Sequence, residues 1–522
     1  MFKNQKLLFL IITILFFGFS ADAQKKDGIS VKSVKIQNGM ISGVAGTDPE
    51  VLVFKGIPYA APPIGNLRWK APQPVESWQG IRESNTFSPN AYQAKPKPFG
   101  VYTSEFLIPQ DGAISEDCLY LNIWTAAKSV KEKRPVIVFI HGGGFVSGSG
   151  SVPIYDGEAF AKKGAVFVTF NYRLGIFGFF AHPELTKESA HQASGNYGIL
   201  DQIAALKWVK KNIRAFGGDP NNVTIAGQSA GSMSVNVLAA SPLARGLFNK
   251  IIAESGGFVV KGVFGGTEPL TVAEQKGLQI EKTAGAASLH ELRRLPAEKL
   301  LSLHQGMGTV IVDGYVLPTS VPSIFAGGKQ THVPLLTGYN EADVLFQEPA
   351  TLASYREQVQ KQFGNDAAMI LQLYPAANDK EATIAANNLT RDSGFGIQNF
   401  AWARMQQEQG KAKAYMYFFK RQVPEIGGTN EYGAFHTAEV PYAYDNLKFL
   451  NRPLQEADQQ LANLMSSYWI NFARSGNPNG PKLSQWPEFN SNGQVIVFGS
   501  ISSVAQHPYF DALEFLYQRS TK

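Results

Sequence analysis

Val136-Ile-Val-Phe-Ile140 has no polar side chain on either face of an extended strand, and it runs directly into His141 and three glycines. Ala165-Val-Phe-Val-Thr-Phe170 repeats the pattern with one threonine and ends at Asn171-Tyr172-Arg173. A strand that is apolar on both faces must be covered on both faces, which is the condition of an interior strand in a parallel sheet sandwiched by helices. Between Gly198 and Ala215, Ile199, Ile203, Leu206, Val209 and Ile213 recur every three or four positions, as on one face of an amphipathic helix. Gly217-Gly218-Asp219-Pro220 ends that helix, and Asn222-Val-Thr-Ile-Ala226 begins another strand. Strand, helix, strand in this order is the βαβ unit of an α/β fold. The stretches 260–310 and 350–420 read as mainly helical. No Pro-, Ser- or Gly-rich linker divides the chain, so residues 24–522 are expected to form one large domain with long insertions.

Residues 1–23 have the character of an export leader. Lys3 and Lys6 precede a run from Leu7 to Phe19 interrupted only by Thr13 and Gly18, and Ala21-Asp22-Ala23 supplies a small-x-small cleavage pattern. The run is too short for an ordinary membrane span, and no later run reaches that length. The expected mature protein is therefore exported, periplasmic or secreted, without an integral span. Removal of Lys3, Lys6 and Asp22 takes the formal charge from +6 to +5. The basic residues are scattered, and no basic face with stacking aromatics suggests nucleic acid as a partner. A single cysteine, Cys118, rules out an intramolecular disulfide and a cysteine-based zinc site.

The chemistry is concentrated at two turns. Gly227-Gln-Ser-Ala-Gly231 lies between the strand ending at Ala226 and a helix-like run beginning at Ser232. G-x-S-x-G in that setting is a nucleophile elbow: the serine occupies a strained strand-to-helix turn, and the flanking glycines leave room for the bend. A serine hydroxyl is a poor nucleophile until a base accepts its proton and the developing oxyanion is held. His141-Gly-Gly-Gly-Phe145 follows a strand, where glycines let backbone N–H groups converge on one point.

With these motifs the sequence resembles the type-B carboxylesterase and lipase family, the cholinesterase-like branch of the α/β hydrolases. The resemblance runs from about Gly28 to Arg519. It is carried further by Phe54-Lys-Gly-Ile-Pro-Tyr-Ala60, Leu67-Arg-Trp-Lys70, Ser115-Glu-Asp-Cys-Leu-Tyr-Leu-Asn122, Asn171-Tyr-Arg-Leu-Gly175 and Phe216-Gly-Gly-Asp-Pro220. It implies an α/β-hydrolase fold: a central, mostly parallel sheet flanked by helices, with helical insertions forming a gorge. It also implies a serine carboxylesterase that uses no metal or cofactor and acts on a small-molecule ester. Ser229 falls at the nucleophile position, and Gly143, Gly144 and Ala230 at those of the oxyanion donors. His436, in Gly433-Ala-Phe-His-Thr-Ala-Glu-Val-Pro-Tyr442, falls at the position of the base.

Three departures from the family pattern matter. Gly338-Tyr-Asn-Glu-Ala-Asp-Val344 aligns with G-x-N-x-x-E-G, placing Asp343 where glutamate is usual; Glu341 is the alternative acid. Asn90 and Ala91 stand where the family has the partner of Cys118, which leaves loop 93–114 without its disulfide and Cys118 as an expected buried, inert thiol. Cholinesterases carry a tryptophan in that loop and a glutamate before the nucleophile, whereas this loop has no Trp and Gln228 is neutral. Neutral esters are therefore favoured over choline esters. Phe145, Phe106 and Phe346 are candidates for an aromatic entrance, with core packing the alternative for each. Two other readings stay open at this level: a non-catalytic adhesion or binding protein on the same fold, and an α/β hydrolase that cleaves amides or carbonates.

Overall fold

A computed structural model of the chain describes residues 28–30, 32–262, 266–303, 306–345, 348–425, 427–428 and 432–521. The leader read in residues 1–23 lies outside them, as does Phe346. An 11-stranded sheet runs through the molecule. Its strands are β1 (Val44–Ala45), β2 (Leu52–Pro58), β3 (Tyr120–Thr125), β4 (Arg134–Ile140), β5 (Val166–Phe170) and β6 (Gly218–Gln228), followed by β7 (Lys250–Glu254), β8 (Leu335–Asn340), β9 (Ala414–Phe419), β10 (Gln494–Phe498) and β11 (Ser503–Gln506). In space they lie in the order β11-β10-β9-β8-β7-β6-β4-β5-β3-β2-β1. Neighbours from β10 across to β5 pair in parallel, and the strands at both edges pair antiparallel. The sheet is thus mixed overall and parallel at its centre, which is the fold class the motifs imply.

The doubly apolar strands do what their composition requires. In β4, Val136, Val138 and Ile140 enter one core cluster and Ile137 and Phe139 the opposite one. In β5, Val166, Val168 and Phe170 face the first cluster and Phe167 the second. This is the two-residue period of an extended chain with both faces covered. The first face is covered by α1 (Tyr197–Asn212) and α2 (Ala230–Ala240), which contribute Ile199, Ile203, Leu206, Val235 and Leu238. The helix read between Gly198 and Ala215 is α1 with a 3-10 turn over Ile213–Phe216 appended. β6 begins at Gly218, four residues before the strand read from the sequence, through a register shift between Gly218 and Val223 against β4.

The second face is covered by α5 (Glu456–Ser475), reached after the helices α3 (Asp379–Arg391) and α4 (Ile397–Gln409) of the later insertion. α5 contributes Leu461, Met465, Tyr468, Trp469 and Phe472. Among the described residues no helix is long and apolar enough to cross a membrane.

The family motifs are clasps between distant segments. Arg68 donates to the Glu116 carboxylate, 2.7 Å from Nε to Oε2, joining the Leu67-Arg-Trp-Lys70 and Ser-Glu-Asp-Cys segments. Arg173, just past β5, holds Asp201 of α1 through two guanidinium hydrogen bonds of 2.8 and 2.7 Å. Both partners of that pair are buried, where a forked guanidinium matches a carboxylate with little loss of geometry.

One buried carboxyl makes stability depend on pH. Glu254, at the end of β7, accepts from Trp469 Nε1 and Tyr444 Oη, each at 3.0 Å. Burial nevertheless pushes its pKa up from 4.5 to about 8. A folded-state value above the unfolded one stabilises the fold below pH 4.5, and that contribution is lost as pH rises through about 8. Glu254→Gln is nearly isosteric and carries no proton to lose. Its thermal midpoint should match the parent at pH 5 and exceed it at pH 9, by roughly 2 °C. Parallel curves for the two proteins across pH 5–9 would remove Glu254 as the source.

Candidate active site

The site forms where four chain segments leave the carboxyl ends of parallel strands. The first follows β6. Ser229 adopts φ 58°, ψ −124°, a left-handed backbone conformation that non-glycine residues rarely accept, between the last residue of β6 and the first of α2. The bend is so tight that a Cβ on Gly231 would lie 1.9 Å from the Ile140 carbonyl oxygen, and one on Gly227 would lie 2.4 Å from backbone atoms of Gly231. Those two glycines are steric necessities, and the turn they permit stores backbone strain under Ser229.

The second segment is the glycine loop after β4. Gly143 and Gly144 have φ of +101° and +62°. In a planar trans peptide the carbonyl and the next residue's N–H point in opposite directions, so fixing the carbonyls aims the amides. The Gly142 carbonyl accepts from His141 Nδ1 at 2.9 Å, and the Gly143 carbonyl accepts from the N–H groups of Val146 and Ser147 at 3.0 Å. The Ser229 carbonyl accepts from Met233 N–H at 2.9 Å. The N–H groups of Gly143, Gly144 and Ala230 are thereby turned the other way, and all three residues line the same cleft as Ser229. Ala230 opens α2, where first-turn amides have no intrahelical acceptor. His141 serves this loop: burial lowers its pKa to about 4, so the neutral ring keeps its proton on Nδ1 for Gly142.

The third and fourth segments are joined to each other. After β8, Ala342 forms a parallel bridge with Phe435, and its N–H donates to the Ala434 carbonyl at 3.0 Å. The bridge sets the next residues, Asp343 and His436, side by side. His436 Nδ1 stands 2.5 Å from Asp343 Oδ1, and His436 Nε2 stands 2.8 Å from Ser229 Oγ. Asp343 Oδ2 accepts from Ser255 Oγ at 2.7 Å and from Asn340 N–H at 3.0 Å. With one nitrogen of the ring facing a carboxylate and the other a hydroxyl, a proton can pass from the hydroxyl to the imidazole. Asp343 is fully buried. Glu341 points elsewhere, with its carboxylate 3.1 Å from Lys420 at the surface. The shorter aspartate spans the distance because the Ala342–Phe435 bridge draws the two backbones together.

Several supporting groups had no sequence signal of their own. Gln228 Nε2 donates to the His436 carbonyl at 2.6 Å, and the Phe395 ring stacks on the imidazole at 4.3 Å, 19° from parallel. Phe395 belongs to a π-helical turn, Asp392–Gly396, between α3 and α4, and π turns of this kind frequently occur at functional sites. Glu439 is buried behind Asp343 and receives the Asn340 side-chain amide; burial holds its carboxyl well above the usual range.

Above Ser229 opens a cleft of about 280 Å³. One wall is loop 93–114, which contributes Pro96, Phe99, Tyr102, Phe106, Leu107 and Ile108. Phe106 therefore lines the cleft, while its ring is also buried in the core cluster of the second face. Phe145 does not: it is fully buried, packs on Phe179 at 5.1 Å and borders a separate cavity behind Met233 and Met307. Its left-handed backbone (φ 61°) turns the ring inward, which no pattern in the sequence announces. No acidic side chain lines the cleft among the described residues. Cys118 is buried, and burial pushes its thiol well above its ordinary value.

A model described as the carboxylesterase family matches residues 30–515. The chain belongs to the carboxylesterase family. Fumonisin B1 esterase of Sphingopyxis macrogoltabida is 38% identical over 89% of this chain and 86% of that protein. Liver carboxylesterase 1 of Oryctolagus cuniculus is 33% identical over 90% and 89%. Among solved structures, a PNB esterase superposes with a TM-score of 0.77 at 31% identity, covering 93% of this chain and all of the other. This carboxylesterase is accordingly a carboxylic ester hydrolase with the α/β-hydrolase fold, and a small-molecule ester is its class of substrate.

Proposed function

We propose that the enzyme hydrolyses neutral carboxylic esters through an acyl-enzyme, as one catalytic domain exported after loss of its leader. The observation that carries this reading is the hydrogen-bonded series Ser229–His436–Asp343 at the floor of the cleft. Ser229 Oγ attacks the ester carbonyl while His436 Nε2 takes its proton. Asp343 holds the ring through Nδ1 and stabilises the imidazolium that forms. The N–H groups of Gly143, Gly144 and Ala230 receive the oxyanion, each contributing about 3 kcal/mol to the barrier reduction. The imidazolium then protonates the leaving alcohol, and a water molecule activated by His436 repeats the attack on the acyl group. The neutral, aromatic lining of the cleft supports uncharged esters over choline esters.

The test is turnover of p-nitrophenyl acetate, butyrate and octanoate by Gln24–Lys522, together with labelling by a fluorophosphonate. We expect turnover of all three and a single adduct on Ser229. A folded protein that neither turns over nor takes the label is a binding protein on this fold. Labelling at another residue would move the nucleophile.

A further inference from the structure

Loop 93–114 builds one wall of the cleft with little structure of its own: its only helical turn is the 3-10 turn Ser104–Phe106. It also has no disulfide, because the chain has one cysteine. Near its ends it is tied by Gln93, which donates to the Gly148 carbonyl at 2.9 Å and accepts from Gly148 N–H at 2.8 Å, and by Asn90, which donates to the Ala113 carbonyl at 3.1 Å. The middle is held by a residue far away in the sequence. Arg452, just before α5, donates from Nη2 to the Val101 carbonyl at 2.6 Å. Its Nε lies 3.6 Å from Glu105 Oε1, with both side chains about 95% buried, and neither atom has a hydrogen-bond partner among the described residues.

The same guanidinium lies 5.6 Å from the centre of the Phe106 ring and 5.5 Å from that of Phe435, within the range of cation–π attraction. Phe435, Phe106 and Tyr102 form a closed set of edge-to-face contacts with centroid separations of 5.6 to 6.0 Å. Phe435 is bonded to His436, while Phe106 and Tyr102 face the cleft. One buried cation thus pins the entrance wall to the histidine segment.

Resting on the esterase reading above, we propose that Arg452 is a positioning residue that sets the width of the cleft for the longer apolar arm of the ester. A short acyl or alkyl group near Ser229 needs only the glycine loop and the elbow. A longer arm must lie along the wall that Arg452 holds, so the consequence of releasing the wall grows with chain length.

Replacing Arg452 alone would leave Glu105 buried and unpaired, which is costly in itself. The test therefore uses the double variant Glu105→Gln/Arg452→Gln and, separately, Arg452→Lys. Two ester series are compared: p-nitrophenyl acetate to octanoate, and methyl to octyl acetate. We expect the double variant to lose about tenfold more kcat/KM on the longest member of at least one series than on its shortest, mainly through KM. Arg452→Lys should recover part of that difference, since lysine keeps the charge beside Glu105 but lacks the planar fork. Equal losses at every chain length, or none, in Arg452→Lys and in the double variant would overturn the proposal. If the double variant does not fold, Arg452→Lys alone decides by the same comparison. Failure of the esterase reading would show in the parent enzyme, whereas failure of this inference shows only in the variants.

Discussion

Ser229→Ala should yield a folded protein whose ester turnover is lower by about 10⁴-fold or more. The fold is expected to survive because the strain at position 229 is a property of the backbone, φ 58°, which alanine and serine occupy at similar cost. The serine hydroxyl makes its hydrogen bond with His436, and removing it leaves the imidazole still held by Asp343. What disappears is the covalent route. Residual catalysis would come from the amides of Gly143, Gly144 and Ala230 acting on direct attack by water, a contribution of about 10³- to 10⁴-fold over the reaction in solution. Turnover of p-nitrophenyl acetate with a matched thermal midpoint is the comparison to make. A variant that keeps near-normal kcat would remove Ser229 from the mechanism.

Asp343→Asn should be almost as damaging, with a drop of about 10⁴-fold in kcat. An asparagine of the same size can present an N–H to His436 Nδ1, and the ring would then carry its proton on Nε2, facing Ser229 where an acceptor is needed. Ser255 Oγ and the Asn340 N–H donate to Oδ2 at 2.7 and 3.0 Å, so they hold the amide oxygen there and turn the NH2 towards His436, which favours this orientation. The imidazolium would also have lost its compensating charge. Glu341→Gln is the control. Its carboxylate pairs with Lys420 across a partly exposed surface, an arrangement worth about 0–1 kcal/mol. Loss of turnover in Glu341→Gln and not in Asp343→Asn would transfer the acid role to Glu341.

The parts legible in the sequence are those whose cause is local. A strand apolar on both faces, a helix with a three-to-four-residue period and a turn that tolerates only glycine each leave a signature within about a dozen residues. The central sheet and the placement of Ser229 on a strand-to-helix turn follow from such signatures. His436 and Asp343 lie in segments that resemble those of the family, and nothing within those segments shows why they meet. That reason is the Ala342–Phe435 bridge, between two loop residues far apart in the chain. Ser255 reaches Asp343 across 88 positions and Asn340 reaches Glu439 across 99, so neither pairing has a local pattern. Phe145 shows the converse. An aromatic beside a functional loop suggests an entrance, yet a single left-handed residue turns it into the core.

Cys118 has no partner anywhere in the chain. A wall closed by a covalent cross-link keeps its shape from the moment of oxidation, whatever the surroundings. The middle of this wall is held instead by one buried ion pair, a carbonyl contact and three aromatic rings, all of which form and break at equilibrium. The chain can therefore reach its working shape without an oxidant or a disulfide isomerase. The shape of this wall becomes a property that temperature and solvent can tune, with no disulfide for redox conditions to open or close.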